Sequence, residues 1–168
     1  MALLVKTIVV LFTFFFIFSA NVAFSEEASS SPKSTFEAFW PLTAGRTADD
    51  PLYFLKVWKE NLRGVLIFGN PQKAEYAVLM GTKRVLEADK LLQGGKKDLA
   101  DKTLGKASEQ FDIAKKNLND AKVNKRPLGS SVNTIKPRLE NSVILMQTMQ
   151  SNTVGGVLQK IKELQMTL

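Results

Sequence analysis

Carboxylates, lysines, tyrosines and hydroxyls are the side chains left to carry any acid–base or covalent chemistry in this 168-residue sequence, because it contains neither Cys nor His. That excludes disulfides, thiolate nucleophiles, Zn sites built from Cys or His, Ser-His-Asp triads and imidazole proton transfer. The acids that stand together are Asp49 with Asp50 and Asp98 with Asp101. Each pair falls at a predicted helix start, where the helix dipole favours negative charge, so capping is the expected role. Ser30-Ser31-Pro32-Lys33 matches the S-x-x-K pattern of penicillin-recognising enzymes, but the helix start and partner motifs that chemistry needs are missing. Gly94-Gly95-Lys96-Lys97 lacks the preceding strand and the spacing of a phosphate loop and reads as a turn between helices. No catalytic residue, metal site or cofactor is expected, and the chain reads as a non-enzyme.

The formal net charge is +7. From Lys96 to Arg126 there are nine basic and five acidic residues, with Lys115, Lys116, Lys122, Lys125 and Arg126 gathered toward the end. Cations near a helix C-terminus are stabilised by the dipole, so a solvated face is the ordinary explanation. The sharper expectation is a patch for an anionic polymer or lipid head groups.

These residues must be positioned by elements that follow an export segment. Lys6 precedes the run from Ile8 to Phe18, which only Thr13 interrupts, and Ala23 and Ser25 supply the small residues a signal peptidase needs. Residues 1–25 are expected to be a signal peptide cleaved after Ser25, or a membrane anchor through residues 7–25, which are just long enough to span hydrocarbon. The expected location is extracytoplasmic, secreted or anchored. Residues 26–49 read as a Ser-rich linker and an aromatic lead-in containing Phe36, Phe39 and Trp40.

Residues 50–168 read as an all-α domain, a small bundle of four to five helices. Asp50-Pro51 starts the first helix, expected to run to Phe68-Gly69, with Leu52, Leu55, Leu62, Val65 and Leu66 on an apolar face that Tyr53, Phe54, Val57 and Trp58 widen. This face is richer than one core needs. Asn70-Pro71 opens a second helix to about Leu92, closed by Gly94-Gly95. Its residues Ala74, Val78, Gly81, Val85, Ala88 and Leu92 alternate at spacings of four and three. So do Ala100, Leu104, Ala107, Phe111, Ala114, Leu118 and Ala121 of the third helix, about 98–123. Two such seams joined by a Gly-Gly turn predict an antiparallel hairpin, about 70–92 with 98–123, in which large side chains lie over small ones. Val132, Ile135, Leu139, Val143, Met146 and Met149 mark a fourth helix, expected to begin at Lys136 with Pro137 at its first position. After Gly155-Gly156, Val157, Leu158, Ile161, Leu164 and Leu168 mark a short fifth.

From Phe39 to about Lys122 the chain resembles a family of short exported bacterial proteins catalogued as a domain of unknown function, common in candidate-phyla bacteria. The likeness is carried by Trp40-Pro41-Leu42-Thr43-Ala44-Gly45, Asp50-Pro51-Leu52-Tyr53-Phe54-Leu55-Lys56, Glu60-Asn61-Leu62-Arg63 with Phe68, Lys73-Ala74-Glu75, and Arg84-Val85-Leu86-Glu87-Ala88 before Gly94-Gly95-Lys96. The resemblance implies an exported helical hairpin domain with no established activity, and stops near Arg126.

The expected function is a non-enzymatic module that binds or scaffolds at the cell envelope, with a sensor or regulatory domain acting through helix rearrangement as the alternative. The contact surface is expected at Phe36, Phe39, Trp40, Tyr53 and Trp58. Expected partners are an envelope protein or a second copy, with a membrane surface or anionic envelope polymer at the basic patch. Nucleic acid is a poor partner for an exported protein without a recognition helix.

Overall fold

Two heptad-spaced seams build the centre of the molecule. The computed structural model describes residues 42–168. The expected export segment, most of the linker, and Phe36, Phe39 and Trp40 lie outside the described residues. Five helices follow one another: α1 (Tyr53–Val65), α2 (Asn70–Gln93), α3 (Lys97–Val123), α4 (Gly129–Gln147) and α5 (Val154–Gln165). Among the described residues there is no strand.

The α2–α3 hairpin forms as its spacing predicts. Every stripe residue of α3, from Ala100 to Ala121, is fully buried, facing Ala74, Val78, Val85 and Ala88 of α2. Gly81 lies under the Phe111 ring so closely that a Cβ there would sit 2.7 to 3.0 Å from three of its carbons. The large-over-small register is therefore literal at this level of the seam. At the end of α2 the seam passes to Leu91, which is buried, while Leu92 is half-buried. Gly95, in the left-handed region at φ 73°, closes α2: the Lys96 amide donates to the Leu91 carbonyl at 2.8 Å and the Gly95 amide to Leu92 at 2.9 Å. Lys125, at φ 52°, closes α3 with the same pair of bonds, Arg126 to Ala121 and Lys125 to Lys122.

Helix α4 packs on α2 and α5 on α3, and α4 also meets α5, so these four close into a ring around one core. Ser131 bonds to Glu75 and Ser142 to Thr82, so α4 runs parallel to α2. Lys160 pairs with Asp112 and Lys115 with Glu163, so α5 runs parallel to α3. Ile135, Leu139 and Met146 of α4 and Val157, Ile161 and Leu164 of α5 complete the core.

Four boundaries differ from the sequence reading. Helix α4 begins at Gly129 and runs through Pro137, where a start at Lys136 was expected. Proline removes the bond to the Asn133 carbonyl, but Asn133 and Pro137 are both exposed, so the loss falls on the solvent side of the helix while Ser131 and Ile135 hold the preceding turn to the core. Helix α1 ends at Val65 rather than at Phe68-Gly69. Helix α5 begins at Val154, so Gly155 and Gly156 lie in its first turn, because Val154 is itself buried. Helix α1 also starts later than expected, at Tyr53 with Leu52 in the cap position; Pro51 lies in the turn ahead of it, where the Asp50 carboxylate accepts from the Leu52 amide at 2.7 Å.

Candidate functional site

Helix α1 is fastened to the bundle by its polar side. At about 100° per residue, Tyr53, Lys56 and Glu60 share one face, opposite Trp58 and Leu62. That polar face is turned onto α2. The Tyr53 hydroxyl donates to Glu87 Oε2 at 2.8 Å. Lys56 Nζ and Arg84 each donate to Glu87 Oε1 at 2.5 Å. Arg84 also donates to Glu60, which accepts from Lys83 Nζ at 2.9 Å. Arg84 thus bridges two acids on different helices, and Glu87 is fully buried. The guanidinium and the Lys56 and Lys106 ammonium groups each stand 5.7 to 5.8 Å from the centre of the Tyr53 ring. Farther along, the Tyr76 hydroxyl donates to the Glu60 carbonyl at 2.7 Å.

The same cations hold the lead-in segment. Lys56 Nζ donates to the carbonyls of Ala44 at 2.5 Å and Arg46 at 2.8 Å, and Lys90 to that of Gly45 at 3.0 Å. Lys96 pairs with Asp49 at 2.5 Å, a hydrogen bond that lowers the Asp49 carboxyl to about 2.

Electrostatically the network is saturated. Burial penalises the Glu60 charge, but hydrogen bonds and Coulombic attraction from Lys83 and Arg84 outweigh it and hold the carboxyl below its ordinary value. Burial, reinforced by Glu87, pushes the Tyr53 hydroxyl up, so it remains a donor. For Arg84, burial opposes the charge and Glu87 with Glu60 restores it. Among the described residues, no buried side-chain nitrogen or oxygen lacks a partner. A groove of about 400 Å³ runs beside this network between α1, α2 and α3, with Gly64, Tyr76, Met80 and Ile113 among its walls. Glu60 and Arg84 reach its edge already engaged. Nothing in that arrangement presents a free acid and base to a bound molecule. Among the described residues, no three acids gather where a metal could be held.

Acidification tests the network directly. A carboxyl whose folded value is depressed contributes stability that is complete above its unfolded value and is lost as pH falls through the folded one. For Glu60 that loss begins below the ordinary 4.5. Thermal unfolding is expected to shift to lower temperature as pH drops below this value, and Glu60→Gln is expected to flatten that dependence. An unchanged slope in the variant would mean that Glu60 is not part of the docking.

The opposite face of α1 is the unusual one. Phe54, Leu55, Trp58, Leu62 and Val65 are all exposed, Trp58 by 65%, as are Leu52, Leu66 and Phe68 in the segments that flank the helix. Soluble helices ordinarily put the apolar stripe inward. Helix α1 is inverted, with its acid buried among cations and its large apolar side chains outward.

The sequence-predicted contact residues are therefore divided. Trp58 is on the open face, whereas Tyr53 is buried in the network with its hydroxyl on Glu87. Lys115 faces α5 and pairs with Glu163 at 2.9 Å, Lys116 and Lys122 project from α3, and Lys125 and Arg126 lie in its terminal cap, Arg126 reaching toward Gly69. Asp101 does not cap α3: it accepts from Ser151, and from Thr153 at 3.1 Å, tying down the α4–α5 connection.

Sequence reasoning missed Glu60, Arg84 and Glu87 as a unit. The available signal was the spacing of Tyr53, Lys56 and Glu60 on one face, with Arg84 and Glu87 three apart on the next helix. A family model described as Domain of unknown function (DUF5667) matches residues 45–163. The chain belongs to that family. The DUF5667 span begins in the lead-in held by Lys56 and Lys90 and contains the whole ionic network. It continues past Arg126 through α4 and into α5, beyond the point where the resemblance read from sequence stopped, and it leaves out Phe39 to Ala44. No curated protein and no solved structure is significantly similar to this DUF5667 chain.

Proposed function

We propose that the chain is a non-enzymatic, exported bacterial module that binds or scaffolds at the cell envelope, with α1 as its contact element. The observation that carries this reading is the inverted amphipathicity of α1. A row of exposed Phe, Leu and Trp side chains is stabilising only when something covers it, since leaving each in water forgoes about 1.5–3 kcal/mol of burial. The chain itself folds so as to keep that row out, spending its polar side chains on the dock.

A regulatory reading is favoured by one feature. Helix α1 is held through ions and hydrogen bonds, which protonation of Glu60 at low pH weakens, rather than through a shared apolar core.

The test is co-sedimentation of the full chain with envelope fractions, compared with Trp58→Ser/Leu62→Ser. Binding is expected to fall at least tenfold in the variant, because two large buried side chains are removed from the contact. Equal binding by both proteins would reject α1 as the contact element.

A further inference from the structure

We infer that α1 lies in the interface of an anionic bilayer, its apolar arc among the acyl chains and its basic edge at the head groups. The inference rests on the reading of α1 as the contact element and names what covers it. Phe54, Val65, Trp58, Leu62, Leu55 and Leu66 fall, in that angular order, within one arc of about 120°. Lys59 and Arg63 follow along one edge, both exposed. The helix contains one acid, Glu60, and the ionic network has drawn it inside. The charge that α1 shows to solvent is therefore wholly basic, complementary to phosphate head groups and not to a neutral or basic protein surface.

The composition of the arc points the same way. Interfacial helices combine Trp, Phe and Leu on one face with Lys and Arg beside it, and Trp in particular prefers the boundary between head groups and chains. Trp58 stands near the centre of the arc, one residue before Lys59. Two copies meeting antiparallel through the same arc would instead set each Lys59–Arg63 edge against its own image, a like-charge arrangement. Among the described residues no helix is long and apolar enough to cross a membrane, so the contact inferred for α1 lies along the surface.

The experiment exploits the absence of native cysteine. Leu62→Cys in the full chain is labelled with an environment-sensitive fluorophore and compared with Glu140→Cys, an exposed position on α4, in vesicles of phosphatidylglycerol and of phosphatidylcholine. Helical content by circular dichroism confirms that each labelled protein is folded. The label at Leu62 is expected to enter an apolar environment on phosphatidylglycerol, to respond to salt, and to be quenched by brominated acyl chains, while the label at Glu140 stays in water. Each basic residue near an anionic surface contributes about fivefold to binding, so Lys59→Gln/Arg63→Gln is expected to weaken insertion of the Leu62 label by roughly 30-fold. A chain that binds vesicles while its Leu62 label stays in water overturns the inference, as does equal insertion into phosphatidylcholine. A lipid-free change of the label that grows with protein concentration, with a dimer in light scattering, overturns it in favour of a second copy. Any of these results together with retained, Trp58-dependent envelope binding leaves the contact-element reading standing and removes the lipid alone.

Discussion

Arg84→Ala is expected to destabilise the domain by about 3–5 kcal/mol, a large share of the roughly 5–15 kcal/mol that holds a domain of this size together. Arg84 is 7% exposed, and its guanidinium bridges Glu60 on α1 to Glu87 on its own helix. Removing it leaves two buried carboxylates with Lys83 and Lys56 as remaining cations, and these reach them from the rim, where they are partly exposed. Arg84→Lys keeps the charge but not the two-ended geometry, so it is expected to fall between wild type and Ala. Urea unfolding gives the loss, and hydrogen exchange locates it. Protection should disappear first over Tyr53–Val65, because α1 has no comparable apolar contact to fall back on. A loss under about 1 kcal/mol would place the network with solvated surface pairs and remove the explanation for the inverted helix.

The second large effect lies in the seam. Phe111→Ala is expected to cost about 3–5 kcal/mol, since the ring is fully buried against Gly81 of α2. Gly81→Ala removes a helix-interior glycine, which alone would stabilise by about 1 kcal/mol, yet the new Cβ would press within 3.0 Å of the ring. A planar ring locked between two helices cannot turn aside as a flexible chain end would. Overpacking is expected to win, giving a net loss of about 1–3 kcal/mol. Combining Gly81→Ala with Phe111→Leu should lose less than the sum of the single changes, because the smaller side chain vacates the volume the methyl needs. Additive losses in a double-mutant cycle would contradict close contact between these two positions.

The residues that carry these effects were unequally visible in the sequence. Gly81 and Phe111 belong to a four-three pattern that can be read along each helix separately, and the Gly95 cap is a local requirement for positive φ. The start of α4 is not legible locally: Pro137 marks a break in its own turn, whereas Ser131 and Ile135 on the preceding turn are held by Glu75 and the core. Asp101 was read as a cap for the same local reason, and the α4–α5 connection recruited it instead. The first helix was recognised as too apolar for one core, but Tyr53 was counted with its open face.

By itself, then, the sequence determined the all-α class, the helical hairpin, the Gly-Gly closure of α2 and the exclusion of Cys- and His-based chemistry. These depend on residue type and on spacings of three and four, which the chain carries locally. Only the tertiary structure decided which way α1 faces. Glu60 meets Arg84 across 24 residues and Tyr53 meets Glu87 across 34, pairings that no helical period encodes. Once the polar face of α1 finds those partners, its buried acid is neutralised by cations and its apolar face has nowhere to go but out.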